Sequence, residues 1–372
     1  MAPSIDTLRG LCGQLIMGGF EGQTLPERYG RALAKGERCG AILFKRNIGD
    51  IEQTSVLCRA ITEASAEPPL VAVDQEGGRV SRLPQPFSVL PPMRQLAALD
   101  DVDLTRAAAA QVARELRALG FNLNFAPVMD VDSNPDNPII GDRAFGAEPR
   151  SVMRHGIAFV RGLQEQHVLA CAKHFPGHGD TAIDSHVDLP HVDADGEHLS
   201  YVELPPFRAA SGAGVASMMS AHVVYRALDE EVPATFSRAI LTNLLRREIG
   251  FEGVLFSDDL EMGAIDKHHA IDHAAPTAVW AGCDVLLICH DQDKQDAALE
   301  ALVARASRDD FFRKRCEEAA QRVARIRQLC PPRPAERSRL GELVGGRDSR
   351  MITDEIAARV AAREASEEEQ GS

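Results

Sequence analysis

A chain of 372 residues with 44% hydrophobic and 26% charged side chains can bury a large core and has the composition of a globular protein. Its net charge of −14 argues against nucleic acid or anionic membrane as a partner, because both need a basic face. Eight cysteines without a C-x-x-C pair point to reduced, buried thiols rather than a disulfide framework or zinc cluster. The N-terminus lacks the basic start and apolar core of a signal peptide, and no apolar run reaches membrane-spanning length, so the expectation is a cytoplasmic protein.

Eight short apolar runs follow one another, at residues 14–20, 41–47, 70–76, 122–130, 169–175, 216–223, 254–260 and 284–290. Most are apolar throughout rather than alternating, as expected for parallel strands covered on both faces. Helical periodicity separates them, at 104–119, 151–166, 238–249 and 273–281 among other places. Eight strands alternating with helices predict a (β/α)8 TIM barrel. The strands also end in polar groups: Lys45-Arg46-Asn47, Asp74-Gln75-Glu76, Asp130, Lys173-His174, His222, Asp258-Asp259 and His290. Barrel enzymes keep their chemistry on that one rim, whereas a doubly wound sheet would call for a G-x-G-x-x-G or P-loop that the chain lacks.

After the eighth run, polar helices at 294–307 and 311–329 are predicted to pack outside the barrel. The domain reading is a catalytic barrel over 1–330 and a C-terminal extension over 331–372. Pro331, Pro332 and Pro334 open that extension, an amphipathic segment follows at 351–363, and the acidic end EASEEEQGS reads as disordered.

The densest chemistry lies in the fifth run and the loop after it, KHFPGHGDTAIDSH, which begins at Lys173. Together with VDQEGGRVSRL upstream and GVLFSDDLEM downstream, this loop resembles the β-N-acetylglucosaminidases of glycoside hydrolase family 3, enzymes of bacterial peptidoglycan recycling. The resemblance covers roughly residues 10–330 and implies a (β/α)8 barrel, in agreement with the strand count.

By that resemblance Asp258, the first carboxylate of FSDD, is the nucleophile. A carboxylate there can attack the anomeric carbon and form a glycosyl-enzyme. Taken alone, an aspartate at a strand end is more often a helix cap, and Asp259 suits that role better. His186 is implied as general acid/base, oriented by Asp184. An imidazole with a pKa near ~6.5 can protonate a leaving oxygen and then activate water. Asp74, Arg82, Arg143, Lys173 and His174 match sugar-binding positions, although each could be an ordinary strand-end ion pair. His178, Asp180 and His222 are expected to support these groups from behind.

Two rivals remain at this stage. A metal-dependent barrel hydrolase could use His174, His178, Asp180, His186 and His191, but no H-x-H or H-E-x-x-H spacing accompanies them. A phosphorylase would keep the same site and use phosphate as acceptor, because a histidine repels it less than a second carboxylate. A non-catalytic sugar-binding module fits poorly with a retained nucleophile and dyad. The expectation is therefore a monomeric retaining exo-β-N-acetylglucosaminidase acting on a small glycan, a muropeptide or chitooligosaccharide, without cofactor or metal.

Overall fold

The computed structural model describes residues 4–181 and 189–371. Eight parallel strands close into a barrel: β1 Ile16–Gly18, β2 Gly40–Leu43, β3 Leu70–Val73, β4 Leu123–Asn124, β5 Leu169–Phe175, β6 Ser217–Ser220, β7 Val254–Asp259 and β8 Val285–Ile288. Each pairs with its sequence neighbours, and β8 pairs back onto β1, so no strand edge is left open. Every strand overlaps one of the eight apolar runs, and the (β/α)8 expectation holds.

The runs are apolar on both sides because both sides are buried. Ile42, Leu70, Ala72, Leu123, Leu169, Met219 and Leu287 fill the barrel interior, where Phe125 meets Phe256 edge to face at 5.1 Å. Leu43, Val71 and Val73, one residue out of phase, pack against the surrounding helices. The fourth run is the least regular. Pro127 has no N–H to give to a ladder, so pairing continues past β4 through single contacts: Cys171 N–H to the Ala126 carbonyl at 2.9 Å and Met129 N–H to the Lys173 carbonyl at 2.7 Å.

The two helices after β8 differ in their placement. Gln292–Arg308 lies on the outside, as expected. Asp310–Leu329 instead crosses the N-terminal end of the barrel, where Val323 and Ile326 join the interior cluster with Cys39 and Leu70. The strand starts leave apolar surface there, and this helix covers it.

A further helix, Arg347–Gly371, runs through the acidic end that the sequence reading leaves disordered. Alanine, glutamate and arginine dominate it, all strong helix formers, and Arg363 pairs with Glu367 one turn on at 2.8 Å. No helix among the described residues is long and apolar enough to cross a membrane.

Candidate active site

The strand ends converge on a cleft of about 240 Å³ at the C-terminal rim, lined by Asp74, Glu76, Arg82, Arg143, Lys173, His174, His178 and Asp258, with Phe44, Met219, Met262 and His290 among its apolar and aromatic walls. Of the residues singled out from sequence, Asp258, Asp74, Arg82, Arg143, Lys173, His174 and His178 line one space. His222 lies directly behind it, and Asp180 sits half-buried in the following turn. Asp184 and His186 lie outside the described residues.

One wall is an ion network. Lys173 is 3% exposed, and its Nζ donates to Asp74 Oδ1 and lies as close to Glu76 Oε1, both at 2.7 Å. Arg143 approaches Glu76 with two parallel bonds, Nε to Oε2 at 2.9 Å and Nη2 to Oε1 at 2.8 Å. Arg82 stands 4.0 Å from Asp74. Burial opposes charge on Glu76, yet Arg143 and Lys173 outweigh it and hold the carboxyl well below the usual range. The Lys173 ammonium is desolvated too, but Asp74 and Glu76 raise its pKa on balance. The result is a preformed set of fixed charges facing the cleft, suited to hydroxyl groups that both give and accept hydrogen bonds.

Glu76 was not singled out from sequence. It was visible in Asp74-Gln75-Glu76, but the depth that makes it the hub of two cations was not. Asp130 is a second such residue. Fully buried at the end of the fourth run, it accepts from His174 Nδ1 at 2.8 Å and from the backbone N–H of His174 and His178 at 3.0 and 2.8 Å. Burial opposes its charge, and His174 with these donors holds its pKa down. With Nδ1–H committed to Asp130, the His174 ring orientation is fixed.

Asp258 is the penultimate residue of β7, with its Oδ1 accepting the Asp259 backbone N–H at 2.8 Å. Desolvation raises its pKa, but His174, His222 and Lys173 outweigh that and leave the carboxylate ionised. His222 is anchored behind it. Its Nε2–H donates to the Asp259 carbonyl at 3.0 Å, and its Nδ1 meets the Thr235 hydroxyl oxygen at 2.8 Å. Burial lowers its pKa, and the nearby Asp258 carboxylate works in the opposite direction. Asp259 turns the other way, accepting backbone N–H groups of Glu261 at 3.1 Å and Cys289 at 3.2 Å. It shapes the turn after β7, and burial pushes its carboxyl up to about 7.

The loop after β5 is pinned from below. Asn137 donates to the carbonyls of His178 and Gly179, both at 2.9 Å, and His178 Nδ1 meets Thr181 Oγ1 at 2.8 Å. Burial and the neighbouring His174 push His178 down to about 4, so it is neutral at physiological pH. A Cβ at Gly179 would fall 1.5 Å from the Val131 carbonyl oxygen, which explains the glycine at that close approach. Under the same loop lies Glu203, 1% exposed, with Oε1 accepting from Ser133 at 2.8 Å and Oε2 without a hydrogen-bond partner among the described residues. Burial pushes its carboxyl up to about 8, so it is protonated at neutral pH.

Among the described residues no three histidine, cysteine or acidic side chains are grouped to hold an ion, and His186 of the metal reading lies outside those residues. The Nδ1 atoms of His174 and His178 are occupied by Asp130 and Thr181.

Comparison with known proteins agrees with the architecture. Residues 7–326 match the model of the glycosyl hydrolase family 3 N terminal domain. A β-hexosaminidase of Thiobacillus denitrificans is 42% identical over 269 residues, spanning 71% of this chain and 74% of that protein. One of Nitrosomonas eutropha is 40% identical over 296 residues, 78% of this chain and 84% of that one. Among solved structures, a family 3 β-N-acetylglucosaminidase from Paenibacillus superposes with a TM-score of 0.90 at 37% identity, covering 95% of this chain and 68% of that one. NagZ of Neisseria gonorrhoeae, in complex with N-trifluoroacetyl-D-glucosamine, superposes with a TM-score of 0.77 at 33% identity, covering 93% and 98%. A barrel with its charged cleft on the catalytic rim, matched over most of its length by this family, belongs to glycosyl hydrolase family 3, and the chain is a glycoside hydrolase.

Proposed function

We propose that the enzyme is a retaining exo-β-N-acetylglucosaminidase that removes a terminal N-acetylglucosamine through a covalent intermediate on Asp258. The observation that carries this reading is the state of Asp258. It is a carboxylate at the floor of the cleft, kept ionised by His174, His222 and Lys173, and it faces a wall of fixed sugar-binding charges. A second carboxylate at the cleft, Asp74, is tied to Lys173 and stands nearest to Arg82, which suits it to sugar hydroxyls rather than to proton transfer. The acid/base role falls, by the family resemblance of the KHFPGHGDTAIDSH loop, to His186, with Asp184 orienting its ring, in the segment after Thr181. The imidazole protonates the leaving oxygen, then takes a proton from the water that releases the sugar from Asp258.

Asp74, Arg82, Arg143, Lys173 and His174 bind the sugar in this reading, with His178, Asp180 and His222 behind them. The names of the relatives, β-hexosaminidases and a β-N-acetylglucosaminidase, and the N-acylglucosamine bound by the Neisseria protein support the sugar identity. The physiological substrate we propose is an N-acetylglucosaminyl-1,6-anhydro-N-acetylmuramic acid muropeptide from cell-wall recycling in the cytoplasm.

Proton NMR of the first sugar released from an aryl N-acetyl-β-glucosaminide tests the mechanism: β-anomer appearing first supports retention, and α-anomer appearing first refutes it. Faster turnover of the anhydro-muropeptide than of chitobiose supports the proposed substrate, and the reverse order refutes it. A rate unchanged by phosphate supports a hydrolase, whereas release of the 1-phosphate would make it a phosphorylase.

A further inference from the structure

The segment after Pro334 lies beyond the residues matched by the family model, yet it reaches back to the wall of the cleft. Residues 77–92, following β3, form that wall, with Val80 and Arg82 on the cleft side. On the barrel side the loop is held by Gln75, whose Oε1 accepts the backbone N–H of Arg82 at 2.8 Å and of Leu83 at 3.3 Å. On its far side it is held by Glu115, a fully buried residue of the helix Val102–Leu119.

Among the described residues, the hydrogen-bond donors to Glu115 are all neutral. It accepts from the Ser88 backbone N–H at 2.7 Å and the Ser88 hydroxyl at 3.0 Å, both in the loop, and from the Gly345 N–H at 2.9 Å and the Ser349 hydroxyl at 2.6 Å, both in the C-terminal segment. Gln111 in turn donates to Ser349 at 2.6 Å. Gly345 takes φ +66° against the loop, where a Cβ would fall 2.2 Å from the Pro86 carbonyl oxygen. The helix Arg347–Gly371 then runs along the loop, Ile356 buried and Val360 beside Val89 and Leu90, and Arg359 pairs with Asp101 at 2.8 Å. A buried carboxylate with four donors divided between two segments joins them as one unit, since releasing either segment leaves part of the charge unsolvated.

We propose that Glu115 and Ser349 are positioning residues for sugar binding: the C-terminal segment, acting through them, fixes the loop 77–92 and with it the place of Arg82 in the cleft. The inference rests on the reading of Arg82 as a sugar ligand given above.

The test uses the full chain and an aryl N-acetyl-β-glucosaminide, with Ser349→Ala as the mild variant and Glu115→Gln as the stronger one. Both are expected to raise KM by about threefold to tenfold with kcat within about twofold, because a loosened ligand weakens binding in the ground and transition states alike. Ser349→Thr, which keeps the hydroxyl, restores KM. In an Arg82→Ala background Ser349→Ala adds nothing further, because the residue it positions is gone. A raised KM in Arg82→Ala with an unchanged KM in Ser349→Ala, even alongside a lowered Tm, would overturn the positioning role alone. So would additive effects in the double variant. An unchanged KM in Arg82→Ala itself would overturn the sugar-ligand reading and this inference together.

Discussion

Replacing Glu76 by glutamine removes the charge on which Arg143 and Lys173 converge, and the loss can be estimated from the geometry. Glu76 is 2% exposed and makes two bonds to Arg143 at 2.8 and 2.9 Å and a contact to Lys173 at 2.7 Å. Glutamine keeps one acceptor oxygen but turns an N–H2 group toward a cation. Arg143 then loses both of its bonds to a carboxylate, and Lys173 keeps only the direct bond to Asp74. Removing one partner of a buried ion pair costs about 3–5 kcal/mol. With an unfolding entropy of about 2.1 cal/mol/K per residue, 372 residues give about 0.78 kcal/mol/K, so the variant should melt ~4–6 °C lower at pH 7.

The pH dependence has a definite sign. The folded-state pKa of Glu76 is depressed, so its contribution is complete above the ordinary carboxylate range and is lost as pH falls through the folded-state value. Calorimetry at pH 7 and in acid should therefore show a Tm difference between the two proteins that narrows below about pH 4. KM for an aryl N-acetyl-β-glucosaminide should rise as Arg143 and Lys173 lose their fixed positions. A Tm within 1 °C of the parent at pH 7, with KM unchanged, would refute the hub role of Glu76.

Asp258→Ala should lower kcat by on the order of 10⁴-fold or more while sugar affinity persists, because a nucleophile acts chiefly in the transition state; near-normal turnover would remove it from the mechanism. His186→Ala should slow glycosides with good leaving groups far less than natural sugars, and an equal loss on both would count against acid assistance. Glu203, pushed up to about 8 by burial, keeps its proton in the folded state over a range where the unfolded chain has lost it, so its stabilisation fades as pH rises from about 4.5 to 8. Glu203→Gln should match the parent in Tm near pH 4.5 and exceed it above pH 8; parallel Tm profiles across that range would contradict the buried, protonated state.

The fold was legible because strands buried on both faces leave unbroken apolar runs, and their polar ends marked one rim. Where the reading departed from the structure, the cause was tertiary. Asp310–Leu329 looks like a polar outer helix until the open barrel end gives Val323 and Ile326 somewhere to go. The acidic end has the charge of a disordered tail, but it continues a helix already docked through Ile356 and Arg359. In the cleft, residue types were readable from motifs while partnerships were not. Asp130 and Glu76 lie in plain sight as strand-end carboxylates, yet only burial shows that one orients His174 and the other holds two cations. The Glu115 link joins positions 230 and 234 residues apart, a separation no local pattern reveals.

Mass spectrometry of the intact protein after incubation with a 5-fluoro N-acetylglucosaminyl fluoride, followed by peptide mapping, addresses the central claim directly. The account predicts a single sugar adduct on the peptide carrying Asp258, lost in Asp258→Ala. An adduct on another carboxylate, or inactivation without any covalent sugar, would contradict it.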